Sequence, residues 1–438
     1  METLTFKGIT IAVLIMALLI PGVMIQRLIE ERQDRSRDTI QTINEKWSRA
    51  QTLCAPLLII PYTTVKFDAQ KKPYLEQHTL YVTPKDLKIE VSITPEERYY
   101  GIYKAILYRS DIRFKGHFSD LAGVKPENSE LQFDRAQIAI GITDLKGVTQ
   151  NPDLMVGGKT LETDVGMMGR RFIGKTLIAD LKGLNLKADS LPQTLGFECA
   201  MKLNGSSSIN FIPIGQNTTV TVAGQWASPS FIGNFSPEST IDTKQFSAVW
   251  NILSFNREIP AMWTDNNITE LSAGSFGVNL IETVDHYQQN MRSAKYALMF
   301  ISLTFIVFFF VEIFTKKPIM FFQYVLVGIA LTLFYSLLLS LSEQVGFGWA
   351  YLAASAVTIL MITVYFYSLI RQIAATLILV GVMVTLYTFL YVILQVSDYA
   401  LLFGSIFLFV ILGIIMFVSN KIKPVKRVPA QAAPETAE

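Results

Sequence analysis

Cysteine occurs only twice in this 438-residue chain, at Cys54 and Cys199, and histidine only three times, at His78, His117 and His286. Two cysteines exclude a disulfide-dense scaffold. Three scattered histidines, none with a second ligand at metal-site spacing, exclude a zinc centre. No His-Glu-x-x-His, no Walker A and no Gly-x-Gly-x-x-Gly after a strand is present, so three large enzyme classes fall away. Gly274-Ser275-Phe276-Gly277 lacks the Gly-x-Ser-x-Gly of a nucleophile elbow. A dominant charge is missing too. The 38 basic and 36 acidic residues leave a net charge of +2, and no basic stripe with interleaved aromatics points to nucleic acid. No cofactor and no metal are implied.

What the chain has in abundance is long apolar sequence. Residues 296–314, 324–341, 349–370, 373–394 and 401–419 approach or exceed the ~17–25 apolar residues that cross a ~30 Å hydrocarbon core. Lys316 and Lys317 follow the first of these spans, Arg371 the third, and Lys421, Lys423, Lys426 and Arg427 the last. The intervening turns, 343–348 and 395–399, carry no Lys or Arg. Basic loops stay in the cytoplasm, so the alternation predicts those three positions inside and the two turns outside. A further span, 8–28, follows Lys7 and lacks an Ala-x-Ala-like site, which favours an uncleaved anchor over a signal peptide. Pro21 is tolerable within it.

The sequence thus predicts an α+β membrane protein with six transmembrane helices. An N-terminal anchor (1–28) precedes a large extramembrane domain (29–294), a five-helix bundle (295–420) and a disordered cytoplasmic tail (421–438). Both termini are expected inside, with the large domain outside the cytoplasm. Residues 26–51 read as a polar helix whose stripe is Leu28, Ile29, Arg32, Ile40, Ile43 and Trp47, an amphipathic stalk. Beyond it the period falls to two. Ile89, Val91 and Ile93, then Ile112, Phe114 and Phe118, Ile138, Ile140 and Ile142, Phe197, Cys199, Met201 and Leu203, and Val220 and Val222 alternate with polar neighbours. Such runs, separated by turn clusters such as Asn204-Gly205-Ser206, predict antiparallel strands in a sandwich-like fold.

Few side chains invite chemistry. An oxidising compartment permits a disulfide between Cys54 and Cys199, although Cys199 sits on an apolar strand face, where a free thiol behaves as a small hydrophobe. Gly166 to Arg171, with Arg170 and Arg171, has the makings of an anion nest or of a solvated loop. Glu312 lies within a span, where a carboxylate is costly and suggests function. An i,i+4 pair with Lys316 is the structural alternative and is favoured. Glu343 ends the next span as an interfacial residue. Arg292 and Lys295 are placed to contact lipid phosphates or the extramembrane domain. Tyr335, with several other tyrosines, puts a hydroxyl at membrane depth.

Several segments resemble one family. They are Arg292-Ser293-Ala294-Lys295-Tyr296 running through Phe309, Phe310 and Glu312, then Gln323-Tyr324 to Gly328, and Phe334-Tyr335 to Ser342-Glu343. The extramembrane domain adds Arg98-Tyr99-Tyr100-Gly101-Ile102-Tyr103, Ser230-Phe231-Ile232-Gly233-Asn234-Phe235 and Gln245-Phe246-Ser247-Ala248-Val249-Trp250. In these the chain resembles the CreD family of bacterial inner-membrane proteins. Phe322 stands where a proline is expected, and Gln344 where a histidine is expected. The resemblance implies a multi-pass inner-membrane protein with a periplasmic domain, made under an envelope-sensing two-component system. It implies association with envelope integrity, including responses to β-lactams and colicins, and carries over no catalytic residue or substrate.

Two functional readings follow. In the first, a non-enzymatic envelope protein uses its β-rich domain to bind a periplasmic or membrane-protein partner while the bundle anchors it in the lipid bilayer. In the second, a transporter or intramembrane enzyme acts on a lipid-linked or hydrophobic molecule through Glu312 and the buried tyrosines.

Overall fold

Proline at position 21 sets the first feature of the fold. It has no N–H to give the carbonyl of Ala17, and the first helix, α1 (Glu2–Ala17), stops there. After a one-residue break at Leu18, the chain resumes as α2 (Leu19–Trp47). In the computed structural model the described residues are 2–123, 126, 129–166, 175–187, 191–264, 271–280, 285–395 and 400–419. The Arg170 and Arg171 loop, the turn at 396–399 and the basic tail beyond 419 lie outside them. The chain divides into two compact units, one made of residues 1–35 and 284–438, the other of residues 36–283.

The second unit is β-rich. Its strands in chain order are β1 (Gln51–Phe67), β2 (Pro73–Val82), β3 (Asp86–Tyr100), β4 (Tyr103–Ser119), β5 (Ser129–Leu131) and β6 (Gln137–Ile142). Then come β7 (Asp153–Val156), β8 (Lys159–Leu161), β9 (Asp164–Gly166), β10 (Lys175–Asp180), β11 (Thr194–Ser206) and β12 (Ser208–Ile212). The last six are β13 (Asn217–Gly224), β14 (Pro229–Gly233), β15 (Glu238–Ile241), β16 (Phe246–Ile252), β17 (Met262–Thr264) and β18 (Phe276–Leu280). One sheet runs β14-β18-β12-β1-β6-β10-β9, with β2 and β5 also on β1 and β17 on β2. The other runs β15-β16-β13-β3-β4-β11-β7-β8.

Period-two burial holds in β3, β4, β11 and β13, whose polar neighbours point outward. It fails in β6, where Ala139 and Gly141 are buried along with the isoleucines. It fails also in β1, buried without a break from Leu53 to Ile60. Strands covered on both faces read as continuous apolar runs, and Leu57-Leu58-Ile59-Ile60 is one. The expectation of antiparallel strands needs one correction: β1 pairs β12 in parallel, and β3 pairs β13 in parallel. Period-two patterning is the same in both kinds of ladder, so it does not report direction.

Side chains from both sheets share one core. Trp250 of β16 lies on Phe276 of β18 with ring centroids 5.4 Å apart, and its indole N–H donates to the Phe235 carbonyl at 3.0 Å. Ser207, in the left-handed region at φ 60°, turns the chain from β11 in one sheet to β12 in the other. At the end of α2 the Arg98 guanidinium lies 4.2 Å from the centre of the Trp47 ring.

The permitted disulfide is not formed. Cys54 lies in β1 and Cys199 in β11, on different sheets, and each is buried as a free thiol. Burial pushes both thiols up to about 12, because a thiolate there would lose its hydration.

The first unit is helical. After α1 and the start of α2 come α3 (His286–Lys295), α4 (Ala297–Thr315), α5 (Phe321–Val345), α6 (Phe347–Ile370), α7 (Ile373–Gln395) and α8 (Ala400–Ser419). Among the described residues five helical segments are long and apolar enough to cross a membrane: Phe6–Trp47, α4, α5, α6 and α7. In α8 the apolar stretch Leu402–Phe417 is shorter. Phe305, Phe308, Tyr324 and Phe366 interlock edge-on or tilted between α4, α5 and α6. Gly328 sits beneath Leu18, where any Cβ would overlap it, so a small residue permits the close approach of the N-terminal segment to α5.

Candidate functional site

Two polar clusters stand out in the helical unit. The first lies where α4 ends and α5 begins. Lys316, in the left-handed region at φ 54°, caps α4. The side-chain oxygen of Gln323 accepts the Met320 amide at 2.9 Å, which fixes the start of α5. Glu312 faces this junction and is ion-paired with Lys7. Lys7 also donates to the Ile319 carbonyl at 2.6 Å, and the Tyr324 hydroxyl donates to the other Glu312 oxygen at 3.2 Å. The expected i,i+4 pair with Lys316 is therefore corrected: the partner comes from α1. A left-handed cap turns Lys316 off the helical spiral on which i and i+4 would meet.

The second cluster lies at the opposite end of α5. Asp285 caps α3 by accepting the Tyr287 amide at 2.9 Å, and its second oxygen accepts from Gln33 at 3.1 Å. A carboxylate at a helix C-terminus is disfavoured by the helix dipole, so Glu343 needs compensating partners. The Tyr287 hydroxyl donates to it at 3.1 Å, and Arg32 approaches to 3.9 Å. One turn on, the Asn290 side-chain amide donates to the Ser342 hydroxyl at 2.7 Å and to the His286 carbonyl at 2.8 Å. Asn290 Oδ1 and Ser293 Oγ are buried with no partner among the described residues, at a cost of about 1–3 kcal/mol each.

Tyr324 and Glu343 are 19 positions apart along one helix, about 28 Å at 1.5 Å per residue, so the clusters are separate. Tyr335 lies between them, buried against Phe334, whose ring also meets Tyr351 and Tyr387 edge-on. The Tyr351 hydroxyl donates to the Tyr387 carbonyl at 2.7 Å. Glu312, Tyr335 and Glu343 thus share α5 or its neighbours but not one site. Arg292 is half-buried and Lys295 exposed, and among the described residues neither forms an ion pair.

A family model described as inner membrane protein CreD matches residues 3–424. The chain belongs to this family. It is 29% identical over 416 residues to inner membrane protein CreD of Escherichia coli strain K12, covering 93% of this chain and 91% of that one. A crystal structure of an M1 zinc metallopeptidase from Deinococcus radiodurans aligns at 8% identity and a TM-score of 0.19, over 45% of this chain and 42% of that one. That likeness is too slight to inform the fold.

The CreD-like segments of the helical unit fall on α3, α4 and α5, which build the polar clusters together with Lys7 of α1 and Arg32 and Gln33 of α2. Of the two departures, Gln344 is exposed beyond Ser342, and Phe322 is exposed in the first turn of α5. Sequence reasoning missed Lys7, Arg32, Asn290 and Ser342 as cluster members. A signal was available for Asn290, an amide on the face of α3 that Tyr287 and Ala294 also share. For Lys7 there was none, because its partner is 305 positions away.

The β-rich unit has a cleft of about 590 Å³ on the outer face of its second sheet. Glu90, Asp111 and Asp153 line it alongside Arg113 and Lys202, so both signs of charge are presented. Among the described residues no group of three or more His, Cys, Asp or Glu could hold a metal ion.

Proposed function

We propose that this inner-membrane protein of the CreD family supports envelope integrity under envelope stress without catalysis of its own, its β-rich domain binding an envelope partner in the periplasm. The observation that carries this reading is the cleft across β3, β4, β11 and β13, which opens among polar side chains of both signs. Mixed charge suits a polar or zwitterionic partner surface better than a strongly charged polymer. The orientation, with both termini in the cytoplasm, draws support from the alternation of basic and uncharged connections. It draws further support from Lys7, which reaches the Ile319 carbonyl, and Lys317, which reaches the Ile370 carbonyl, at the ends of the basic connections.

The test is in-cell photocrosslinking from position 92 or 221 in the cleft, with position 165, on the edge strand β9 of the other sheet, as control. A specific envelope product from the cleft positions alone is expected. No product, together with a dispensable β-rich domain in stressed cells, would end the reading. A second reading, a transporter or intramembrane enzyme for a lipid-linked or hydrophobic molecule, draws on Glu312 at membrane depth. Its ion pair with Lys7 gives that carboxylate a structural occupation. Loss of the stress phenotype in a well-expressed Glu312→Gln variant would favour the second reading.

A further inference from the structure

We propose that the groove between α4, α7 and α8 binds an anionic phospholipid of the surrounding bilayer, with its acyl chains in the groove and its phosphate on Lys316 and Arg371. The groove encloses about 930 Å³, towards the upper end of small-molecule sites. Its walls are apolar, with Phe310, Ile378 and Ile411 among them, and only Thr315, Gln372 and Thr385 interrupt them. Two of these have their hydroxyl protons already engaged within their own helices. The Thr315 hydroxyl donates to the Val311 carbonyl at 2.7 Å, and the Thr385 hydroxyl to the Gly381 carbonyl at 2.8 Å. A polar solute has no reason to enter, whereas hydrocarbon does.

The two ends of the groove differ. Thr315 and Gln372 mark one end, and the residues beside them in the chain are Lys316 and Arg371. Both cap a helix in the left-handed region, at φ 54° and φ 51°, and both are exposed. Lys317 donates to the Ile370 carbonyl, which fastens the α4–α5 connection, where Lys316 lies, to the α6–α7 connection, where Arg371 lies. Among the described residues neither Lys316 nor Arg371 forms an ion pair. An apolar slot with a cation next in the chain to each of two residues at its end has the two-part chemistry of an acidic lipid, since basic pockets between transmembrane helices hold phosphate headgroups. A zwitterionic lipid satisfies the slot but gains less from the rim. This inference does not depend on a partner at the β-rich domain.

The glycine at position 381 lines the slot, and a Cβ built there meets nothing within 4 Å, so a larger side chain fills the slot without disturbing its own helix. Full-length protein in mild detergent, given phosphatidylglycerol or phosphatidylcholine, is read by native mass spectrometry. Phosphatidylglycerol is expected to occupy the protein in preference to phosphatidylcholine. Lys316→Gln with Arg371→Gln should weaken phosphatidylglycerol alone, by about fivefold for each charge removed. Gly381→Phe should weaken both lipids, with Gly381→Leu as the milder version if the first misfolds by circular dichroism. Equal binding of the two lipids, or a double variant that keeps full phosphatidylglycerol occupancy, overturns the proposal. So does a dimer that Gly381→Phe abolishes, because a second copy of the chain would then fill the groove.

Discussion

Lys7 is ion-paired with Glu312, and that pair joins the first helix of the chain to the end of α4. A charge at membrane depth is expensive unless compensated. Here the carboxylate also accepts from Tyr324, and the ammonium also donates to the Ile319 carbonyl, so both heads are satisfied. The N-terminal helix is thereby held by a polar clasp at one end and by the Leu18–Gly328 contact further along.

Removing one member of the clasp should cost more than removing both. Glu312→Gln leaves an ammonium without its counter-charge and is expected to destabilise by about 1–3 kcal/mol, below the fully buried range because Lys7 is partly exposed. Lys7→Met with Glu312→Met should recover all but about 1 kcal/mol. Lys316→Gln should change stability by less than about 0.5 kcal/mol. Thermal unfolding in detergent measures all three. A Lys316 variant as damaging as the Glu312 variant would restore the i,i+4 pair.

At the other end of α5 the order of two substitutions is informative. Asn290→Ala loses two hydrogen bonds, a cost of about 1–3 kcal/mol. Asn290→Asp is nearly isosteric, yet it cannot donate to Ser342 or His286 and adds a charge in a buried place near Glu343. It is expected to be the worse of the two by a clear margin in the same melting experiment. An aspartate that matches wild type would show that the amide donates to neither group.

The cysteines should be silent until the protein unfolds. With thiols pushed up to about 12, only about one in ten thousand is ionised at pH 8. Iodoacetamide is therefore expected to label neither in the native protein and both in denaturant, with no difference between reduced and unreduced samples. The linkage has a definite sign. The folded values lie above those of the unfolded chain, so the thiols' contribution to stability is fully present below about pH 9 and is lost as pH rises towards 12. A Cys54→Ala, Cys199→Ala variant whose stability falls across that window as steeply as the parent's would contradict the burial.

Gly277 lies between β12 and β14, and a Cβ there would strike the backbone of Ile209 and Asn210. Gly277→Ala should cost about 1–3 kcal/mol, as overpacking does where backbone has to shift. Gly274→Ala, where a Cβ meets nothing within 4 Å, serves as the control. Comparable folded yields for the two variants would contradict this close packing.

Much of the architecture was legible in the chain, because hydrophobic length and period are local quantities. The apolar runs at 296–314 and 373–394 became α4 and α7 within a residue or two, and Ile89, Val91 and Ile93 became the inner face of β3. The resemblance of 292–312 and 334–343 to the CreD family pointed to α3, α4 and α5, which supply most members of the two clusters. Other features were not local. The parallel pairing of β1 with β12, the fully covered β1 and the placement of Cys54 and Cys199 on different sheets depend on which strand lies beside which.

The sequence by itself determined that this protein has membrane-length helices and a β-rich insert, since burial of apolar surface follows from composition and spacing alone. Only the tertiary structure decided that Glu312 pairs with Lys7 rather than Lys316, that Asn290 reaches Ser342, and that Lys317 closes on Ile370. Each is a contact of a few ångströms between positions tens to hundreds apart. Such contacts arise from how the elements pack, and no periodicity encodes them.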